Sequence, residues 1–162
     1  MARNPARYID GFVIPIPRSK LAAYRELAKV AAQVWIEHGA LEYVEAVLEH
    51  ALPGFGLPFP KLVECRRGET VIFSYIVYRS RAHRDRVNAK VMTDRRIAES
   101  CTGGAMPFDP KRMTWGGFTD LVAHRGSERA KDAIKAPRKG EQRGGSKTAK
   151  RAGGRTAAKS AK

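Results

Sequence analysis

Acidic residues are scarce in this chain, and the scarcity is concentrated at one end. The 162 residues include 31 Lys and Arg against 16 Asp and Glu, which gives a formal net charge of +15. Residues 1–124 hold 18 basic and 13 acidic side chains, whereas residues 125–162 hold 13 and 3. The composition therefore predicts a mildly basic folded domain, residues 1–124, followed by a basic tail, residues 125–162.

Cysteine is also scarce, with only Cys65 and Cys101 in the chain. The two lie far apart in sequence and form no metal-binding or redox motif, so free thiols in a reducing cytoplasm are favoured over a disulfide. None of the four histidines has an Asp, Glu or Cys at the spacing of metal ligands. We therefore predict no metal site and no cofactor.

Long apolar runs are missing as well. No stretch approaches the ~20 apolar residues that span a bilayer, and the opening MARNPARYIDG has no apolar segment typical of a secretory signal. Phosphate-binding loops, dinucleotide-binding fingerprints and nucleophile elbows are not found either. We expect a soluble cytoplasmic protein, and no motif identifies a reaction.

The first 124 residues do contain alternating strand and helix patterns. Two amphipathic helices are predicted, one capped by Ser19 and ended by Gly39, the other running from Ser80 to about Met92. A short helical turn is predicted at 94–100. Five Pro and Gly residues within 53–60 predict a loop without regular structure. The segments rich in β-branched and aromatic residues predict strands at 8–16, 41–49, 70–78 and 111–123.

This order, β-α-β-β-α-β, predicts a ferredoxin-like α+β fold with both helices on one face of a four-stranded antiparallel sheet. The first and third strands are apolar on both faces. Ile9 and Val13 oppose Phe12, and Phe73 opposes Ile72. A bare apolar sheet face is unfavourable in water. We therefore expect a second copy of the chain to pack against it, as a homodimer.

Three segments carry a resemblance to a known family: YIDGFV at 8–13, SRAHRDRVNAKVMTDRR at 80–96 and MPFDPKRMTWGGF at 106–118. They resemble the YbaA-like proteins, a bacterial family described as domain of unknown function 1428, over about residues 7–122. The resemblance implies a dimeric α/β barrel, in agreement with the strand pattern. That superfamily includes cofactor-free monooxygenases, haem-degrading oxygenases and lactone isomerases, an analogy of fold alone.

Asp10 is the first candidate for chemistry, because it interrupts the apolar face formed by Tyr8, Phe12 and Ile14. A carboxylate in that position is unfavourable unless it is paired or hydrogen-bonded, and desolvation can raise its pKa. Asp10 is therefore either a catalytic acid or base, or a ligand contact, or a structural carboxylate bonded to a loop or to a neighbouring Arg.

Two further segments contribute candidates. On the second helix Arg84 and Asn88 share a face, and Asn88 either touches a ligand or ties the helix to a loop. At the start of the last predicted strand, Lys111 and Arg112 either meet an anionic ligand or pair with Asp109 or Asp120. Met106 to Phe108 is predicted to be an apolar plug or lid. The full set of predicted ligand-binding residues is Tyr8, Asp10, Arg84, Asn88, Asp109, Lys111, Arg112 and Trp115.

The segment from Pro137 onward is rich in Lys, Ala and Gly, without an aromatic residue and with Glu141 as its one acid. It is predicted to be disordered, because it has too little apolar surface to bury. Its Lys/Ala units resemble the tails of linker histones, which bind nucleic acid through phosphates. The alternative is a solvated appendage without a partner. The candidate nucleic-acid contacts are Arg138, Lys139, Arg143, Lys147, Lys150, Arg151, Arg155, Lys159 and Lys162.

Three functional hypotheses follow. The first is a homodimeric α/β barrel that binds a small organic ligand inside the barrel. The second is a cofactor-independent monooxygenase or isomerase, with Asp10 as the best candidate for its titratable group. The third is a dimeric core that presents basic tails to DNA or RNA without sequence preference.

Overall fold

The computed structural model describes residues 7–51, 54–102 and 106–124, with the side chains of Cys101 and Thr102 excepted. The chain divides into two compact units, residues 1–123 and 124–162, and the predicted basic tail lies outside the described residues. The elements are β1 Tyr8–Pro17, α1 Leu21–Glu37, β2 Glu42–Val47, α2 Phe59–Leu62, β3 Glu69–Tyr78, α3 Arg81–Val91, α4 Arg95–Thr102 and β4 Thr114–Thr119, with 3-10 turns at Arg18–Lys20 and Pro110–Arg112.

The strands form one antiparallel sheet in the order β2-β3-β1-β4. This confirms an α+β fold with a four-stranded antiparallel sheet. Helices α1 and α3 lie on one face, where Val34 and Val87 pack with Ile76 and Tyr78 of β3 in a buried cluster. The apolar stripe of α1 thus meets the side chains that the strand pleat directs to the same face.

Local signals for the helix ends are confirmed at two positions. The Ser80 hydroxyl accepts a hydrogen bond from the backbone N–H of His83, which satisfies one of the free donors at the start of α3. Gly39 follows α1 with φ +114°, a backbone conformation that side chains with a Cβ rarely adopt. The start of α3 and the end of α1 could therefore be predicted from residues within four positions of each.

The prediction that Ser19 caps α1 is wrong. Arg18–Lys20 already form a 3-10 turn, and Lys20, the residue before α1, makes no side-chain capping bond. Ser19 therefore lies inside a helical turn, whereas a capping residue needs an extended backbone to reach the N–H groups ahead of it. The turn starts early because Pro17 provides a φ of −58° at its entry.

The boundaries of three further segments differ from the predictions. Phe59–Leu62 forms a helical turn within the expected loop, with Pro60 in its first positions, where a missing N–H is tolerated. Helix α4 runs to Thr102 and so extends beyond the predicted turn. Strand β4 begins only at Thr114, because Asp109 caps a 3-10 turn ahead of it.

The sheet face opposite α1 and α3 carries large exposed apolar side chains. Phe73 is 43% exposed and Phe118 59% exposed. The ring of Phe118 lies over Gly11 and Gly116, where an added Cβ would stand 3.3 Å from it at both positions. For β3 the prediction of apolar side chains on both faces is confirmed, by Phe73 on this face and the buried Ile72 on the other. Within the described part of the chain, no helix is long and apolar enough to cross a membrane.

Candidate functional site

A cavity of about 530 Å³ lies between the helices and the sheet. Its walls are mainly apolar, and polar side chains from several elements converge on it. The residues that line it include Phe12, Ile14, Leu27, Ala28, Ala31, Ile76, Met92, Ile97, Met113 and Trp115 among the apolar ones, and Asp10, Tyr24, Trp35, Tyr43, Glu45, Ser74, Tyr78, Arg84, Asn88 and Ser100 among those with a polar group.

The sheet provides the floor of this cavity through two rows of paired residues. In one row Asp10 lies opposite Ile76, which in turn lies opposite Tyr43. In the second row, Ser74 of β3 lies opposite Glu45 of β2 and opposite Phe12 of β1. Phe12 in turn lies opposite Trp115 of β4. Since side chains two residues apart on a strand share a face, both rows point toward the helices.

Asp10 is 2% exposed and forms an ion pair with Arg84, whose Nε donates to Asp10 Oδ2 over 2.7 Å. This confirms that Asp10 is buried and held by a basic neighbour. The other carboxylate oxygen, Oδ1, is also buried and accepts no hydrogen bond from any described residue. A buried acceptor without a donor costs roughly 1–3 kcal/mol, so it requires an explanation.

Asn88 lies one turn after Arg84 on α3 and lines the same cavity. Its Oδ1 accepts two hydrogen bonds of 3.1 Å, from Trp35 Nε1 of α1 and from the Tyr78 hydroxyl of β3. Burial, with the negative charge of Asp10, raises the pKa of the Tyr78 phenol, so the phenol keeps its proton and donates it. Asn88 therefore joins α3 to both α1 and the sheet, rather than to a loop.

Glu45 is a cavity residue that the sequence did not suggest. The hydroxyls of Tyr24 and Tyr43 donate to its two carboxylate oxygens over 2.7 and 2.9 Å. Burial, followed by the charge of Glu45, raises the pKa of both phenols, which keeps them protonated as donors. The available signal was the spacing of Tyr43 and Glu45, two positions apart in a strand, which places both on one face.

Residues of α4 and of the segment after it close one side of the cavity. Ile97 and Ser100 line it from α4, and Met106 and Phe108 line it from the segment after α4. The Phe108 ring meets the Tyr24 ring edge-on, with centroids 5.7 Å apart.

Polar contacts join the start of α4 to the end of α1. Asp94 Oδ2 lies 2.9 Å from His38 Nε2, and Arg96 Nη2 donates to Glu37 Oε2 over 2.6 Å in an ion pair. These contacts help to hold α4 at the side wall of the cavity.

The other predicted site residues lie away from the cavity. Arg112 pairs with Glu69 over 2.6 Å, rather than with Asp109 or Asp120. Its guanidinium lowers the pKa of Glu69 to about 2. Asp109 instead accepts from the backbone N–H of Lys111, whose side chain is exposed.

Tyr8 does not line the cavity either. It packs over Gly117, where an added Cβ would stand 2.7 Å from Tyr8 Cζ. The predicted site set thus divides into Asp10, Arg84, Asn88 and Trp115 at the cavity and Tyr8, Asp109, Lys111 and Arg112 elsewhere.

Among the described residues, no cluster of three His, Cys, Asp or Glu side chains is arranged to hold a metal ion. The predicted nucleic-acid contacts, Arg138 to Lys162, lie outside the described residues.

A four-stranded antiparallel sheet with a cavity beneath two helices defines an α+β domain with a candidate small-molecule site. A family described as "Protein of unknown function (DUF1428)" matches residues 7–110, and the chain belongs to this family. The predicted resemblance is thereby confirmed.

Two relatives are similar over most of the chain. "Uncharacterized protein YbaA" of Escherichia coli strain K12 is 42% identical over 116 residues, which cover 72% of this chain and 97% of the relative. The protein of the same name from Shigella flexneri shows the same identity and coverage. Among solved structures, the de novo designed protein Foldit4 aligns at 13% identity and a TM-score of 0.36, over 72% of this chain and 99% of that one.

Proposed function

We propose that this protein binds a small, mainly apolar organic molecule in the cavity between its helices and its sheet. The cavity itself is the observation that carries the proposal. Its volume of about 530 Å³ falls within the ~300–1,000 Å³ that small-molecule sites occupy. Apolar walls with a few convergent polar groups are the usual composition of such sites.

The polar groups also support a binding role because they are held in place. Asp10 is fixed by Arg84, Asn88 by Trp35 and Tyr78. Side chains locked by such bonds lose little further entropy when a ligand arrives, and this favours binding.

The binding test uses a natural reporter, because both tryptophans of the chain, Trp35 and Trp115, line the cavity. Native mass spectrometry of the full-length protein is used first to detect a co-purified compound. Binding of the neutral probe N-phenyl-1-naphthylamine is then followed by energy transfer from tryptophan. Ala31→Leu, which narrows the cavity from α1, is expected to weaken binding at least tenfold.

Ala22→Leu is the matched control, since Ala22 is exposed on the same helix and does not line the cavity. It is expected to leave the probe affinity unchanged. Equal binding by Ala31→Leu and the original chain, or no binding by either, would remove the cavity as the site.

We also propose that the fold is the ferredoxin-like β-α-β-β-α-β arrangement, assembled as a homodimeric α/β barrel. The strand order β2-β3-β1-β4 supports the first part. The exposed Phe73 and Phe118 on the sheet face away from α1 and α3 support the second, because a second copy would remove them from water.

A cofactor-independent monooxygenase or isomerase is the second candidate function. The observation in its favour is Asp10, a carboxylate at the cavity wall whose Oδ1 has no donor among the described residues. An oxygen of this kind can act as a general base. Since Oδ1 is buried, this role requires a local opening around Asp10. Turnover of a bound compound that is lost in Asp10→Asn while binding persists would support it.

A third candidate concerns residues 125–162 and rests on their charge. With 13 basic and 3 acidic side chains, this segment fits weak binding to nucleic acid through phosphates. It would operate independently of the cavity. Retention of the full-length chain on a heparin column at increasing salt tests this role separately from ligand binding.

A further inference from the structure

We infer that Asn88 selects the ligand, by presenting an N–H donor to a neutral carbonyl-type acceptor such as a ketone, ester or amide. The inference rests on the proposed ligand-binding function and adds the chemical class of the ligand. It is carried by the hydrogen bonds around Asn88 and by the accessibility of Asn88 Nδ2, in contrast to the buried Asp10 Oδ1.

The orientation of the Asn88 amide is determined by its neighbours. The indole Nε1 of Trp35 is a donor only, so the atom that it contacts at 3.1 Å must be the amide oxygen. The phenol of Tyr78 donates to the same oxygen at 3.1 Å. With its oxygen engaged twice, the amide must direct Nδ2 away from Trp35 and Tyr78.

Nδ2 is therefore a donor in need of an acceptor. Nδ2 donates to none of the described residues. The described side-chain polar atoms that are both buried and without a hydrogen bond are Asp10 Oδ1 and Thr70 Oγ1, so Nδ2 is accessible. Asn88 is half-buried and lines the cavity. Asn88 Nδ2 thus remains accessible to a ligand, whereas Asp10 Oδ1 is buried.

The charges around the cavity favour a neutral acceptor over an anion. Arg84, one helical turn before Asn88, supplies one positive charge that is already paired with Asp10. Glu45 adds a second carboxylate, which receives the hydroxyls of Tyr24 and Tyr43. A ligand carboxylate would meet two like charges beside mainly apolar walls, and this is unfavourable. A carbonyl oxygen meets no such penalty.

The test compares two probes of nearly the same shape, 2-acetylnaphthalene and 2-isopropenylnaphthalene, which differ in C=O against C=CH2. Equilibrium dialysis with the full-length protein measures both affinities. We expect the ketone to bind at least tenfold more tightly, which corresponds to about 1.4 kcal/mol.

Asn88→Asp is the informative variant, because a carboxylate still accepts from Trp35 and Tyr78 but replaces the Nδ2 donor by an oxygen. We expect the preference for the ketone to disappear or reverse, with the affinity for the alkene little changed. Glu26→Gln is the matched control. Glu26 is on α1, its side chain is 69% exposed and it does not line the cavity, so the ketone preference should persist.

Each outcome has a distinct meaning. Equal affinities of the two probes for the original chain, or a ketone preference that survives Asn88→Asp, overturn the role of Asn88 and leave ligand binding intact. Failure of both probes to bind overturns the proposed function itself. If Asn88→Asp does not fold by circular dichroism, the infrared carbonyl stretch of the bound ketone decides. A shift to lower wavenumber supports the donor, and an unshifted band overturns it.

Discussion

Arg84 Nε lies 2.7 Å from Asp10 Oδ2, and this contact joins helix α3 to strand β1 at the wall of the cavity. The Asp10 side chain is 2% exposed, whereas that of Arg84 is 27% exposed. The carboxylate is therefore almost fully desolvated, and the guanidinium reaches it from a more open position.

Removal of Arg84 alone should be more damaging than removal of both partners. Arg84→Met leaves a buried carboxylate without its cation and is expected to lower the free energy of unfolding by about 3 kcal/mol. The double variant Arg84→Met with Asp10→Asn is expected to lose less, since no charge remains uncompensated. Urea unfolding of the four proteins in a double-mutant cycle measures the coupling. Strictly additive losses would contradict this account.

The carboxylate of Glu45 should contribute to stability through its two phenol donors. In Glu45→Gln only one oxygen remains, so either Tyr24 or Tyr43 loses its acceptor, and we expect a loss of about 1–2 kcal/mol in the free energy of unfolding. Glu42→Gln on the same strand is the control. Glu42 is exposed and, among the described residues, accepts one hydrogen bond, from the Tyr75 hydroxyl at 3.1 Å, so the loss should stay below about 0.5 kcal/mol. Equal effects of the two changes would exclude a special role for Glu45.

Acid should destabilise the protein partly through Glu69. Its pKa is about 2 because Arg112 donates to it, whereas an unfolded Glu has a pKa near 4.3. The folded state thus binds fewer protons, so the stabilisation from this pair is complete above pH ~4.3 and is lost as the pH falls toward 2. We expect Arg112→Gln to show a shallower decline of stability over this range, measured by urea unfolding at several pH values. A decline as steep as that of the original chain would show that the pair does not contribute.

The apolar sheet face should support assembly. Phe73→Asp introduces a charge on the exposed face and is expected to convert a dimer into a monomer in light scattering at micromolar concentration. Ile36→Asp is the control, because Ile36 is 47% exposed on α1, away from that face. An original chain that is already monomeric would sink the homodimer proposal.

Truncation after Ala136 should affect nucleic-acid binding without affecting folding. The removed segment contains nine basic residues, so its binding to duplex DNA can have a log–log salt slope no steeper than about −8 per tail. Apart from Pro137, its apolar side chains are all those of Ala, so the thermal stability should stay nearly unchanged. Fluorescence anisotropy with a short duplex at low salt measures the loss. Equal affinity of the truncated and full-length chains would leave the segment without this role.

Several features could be predicted because they depend on nearby residues. Ser80 caps α3 and Gly39 ends α1, each through atoms within four positions. The alternation of β1 placed Asp10 on the apolar face of Phe12, so its need for a hydrogen bond or a basic partner could be predicted. Arg84 and Asn88 could be assigned to one face of α3 from their four-residue spacing.

Only the tertiary structure decided which partners these side chains have. Asn88 accepts a hydrogen bond from Trp35, which is 53 positions away in sequence. Arg112 pairs with Glu69, although Asp109 and Asp120 are nearer to it in sequence. Glu45 of β2 became part of the site because α1 packs so that the Tyr24 hydroxyl donates to its carboxylate. The sequence period determines which face of an element a side chain occupies, because the face depends only on the local backbone. Which side chain it meets depends on how distant elements pack, and that is a property of the whole chain.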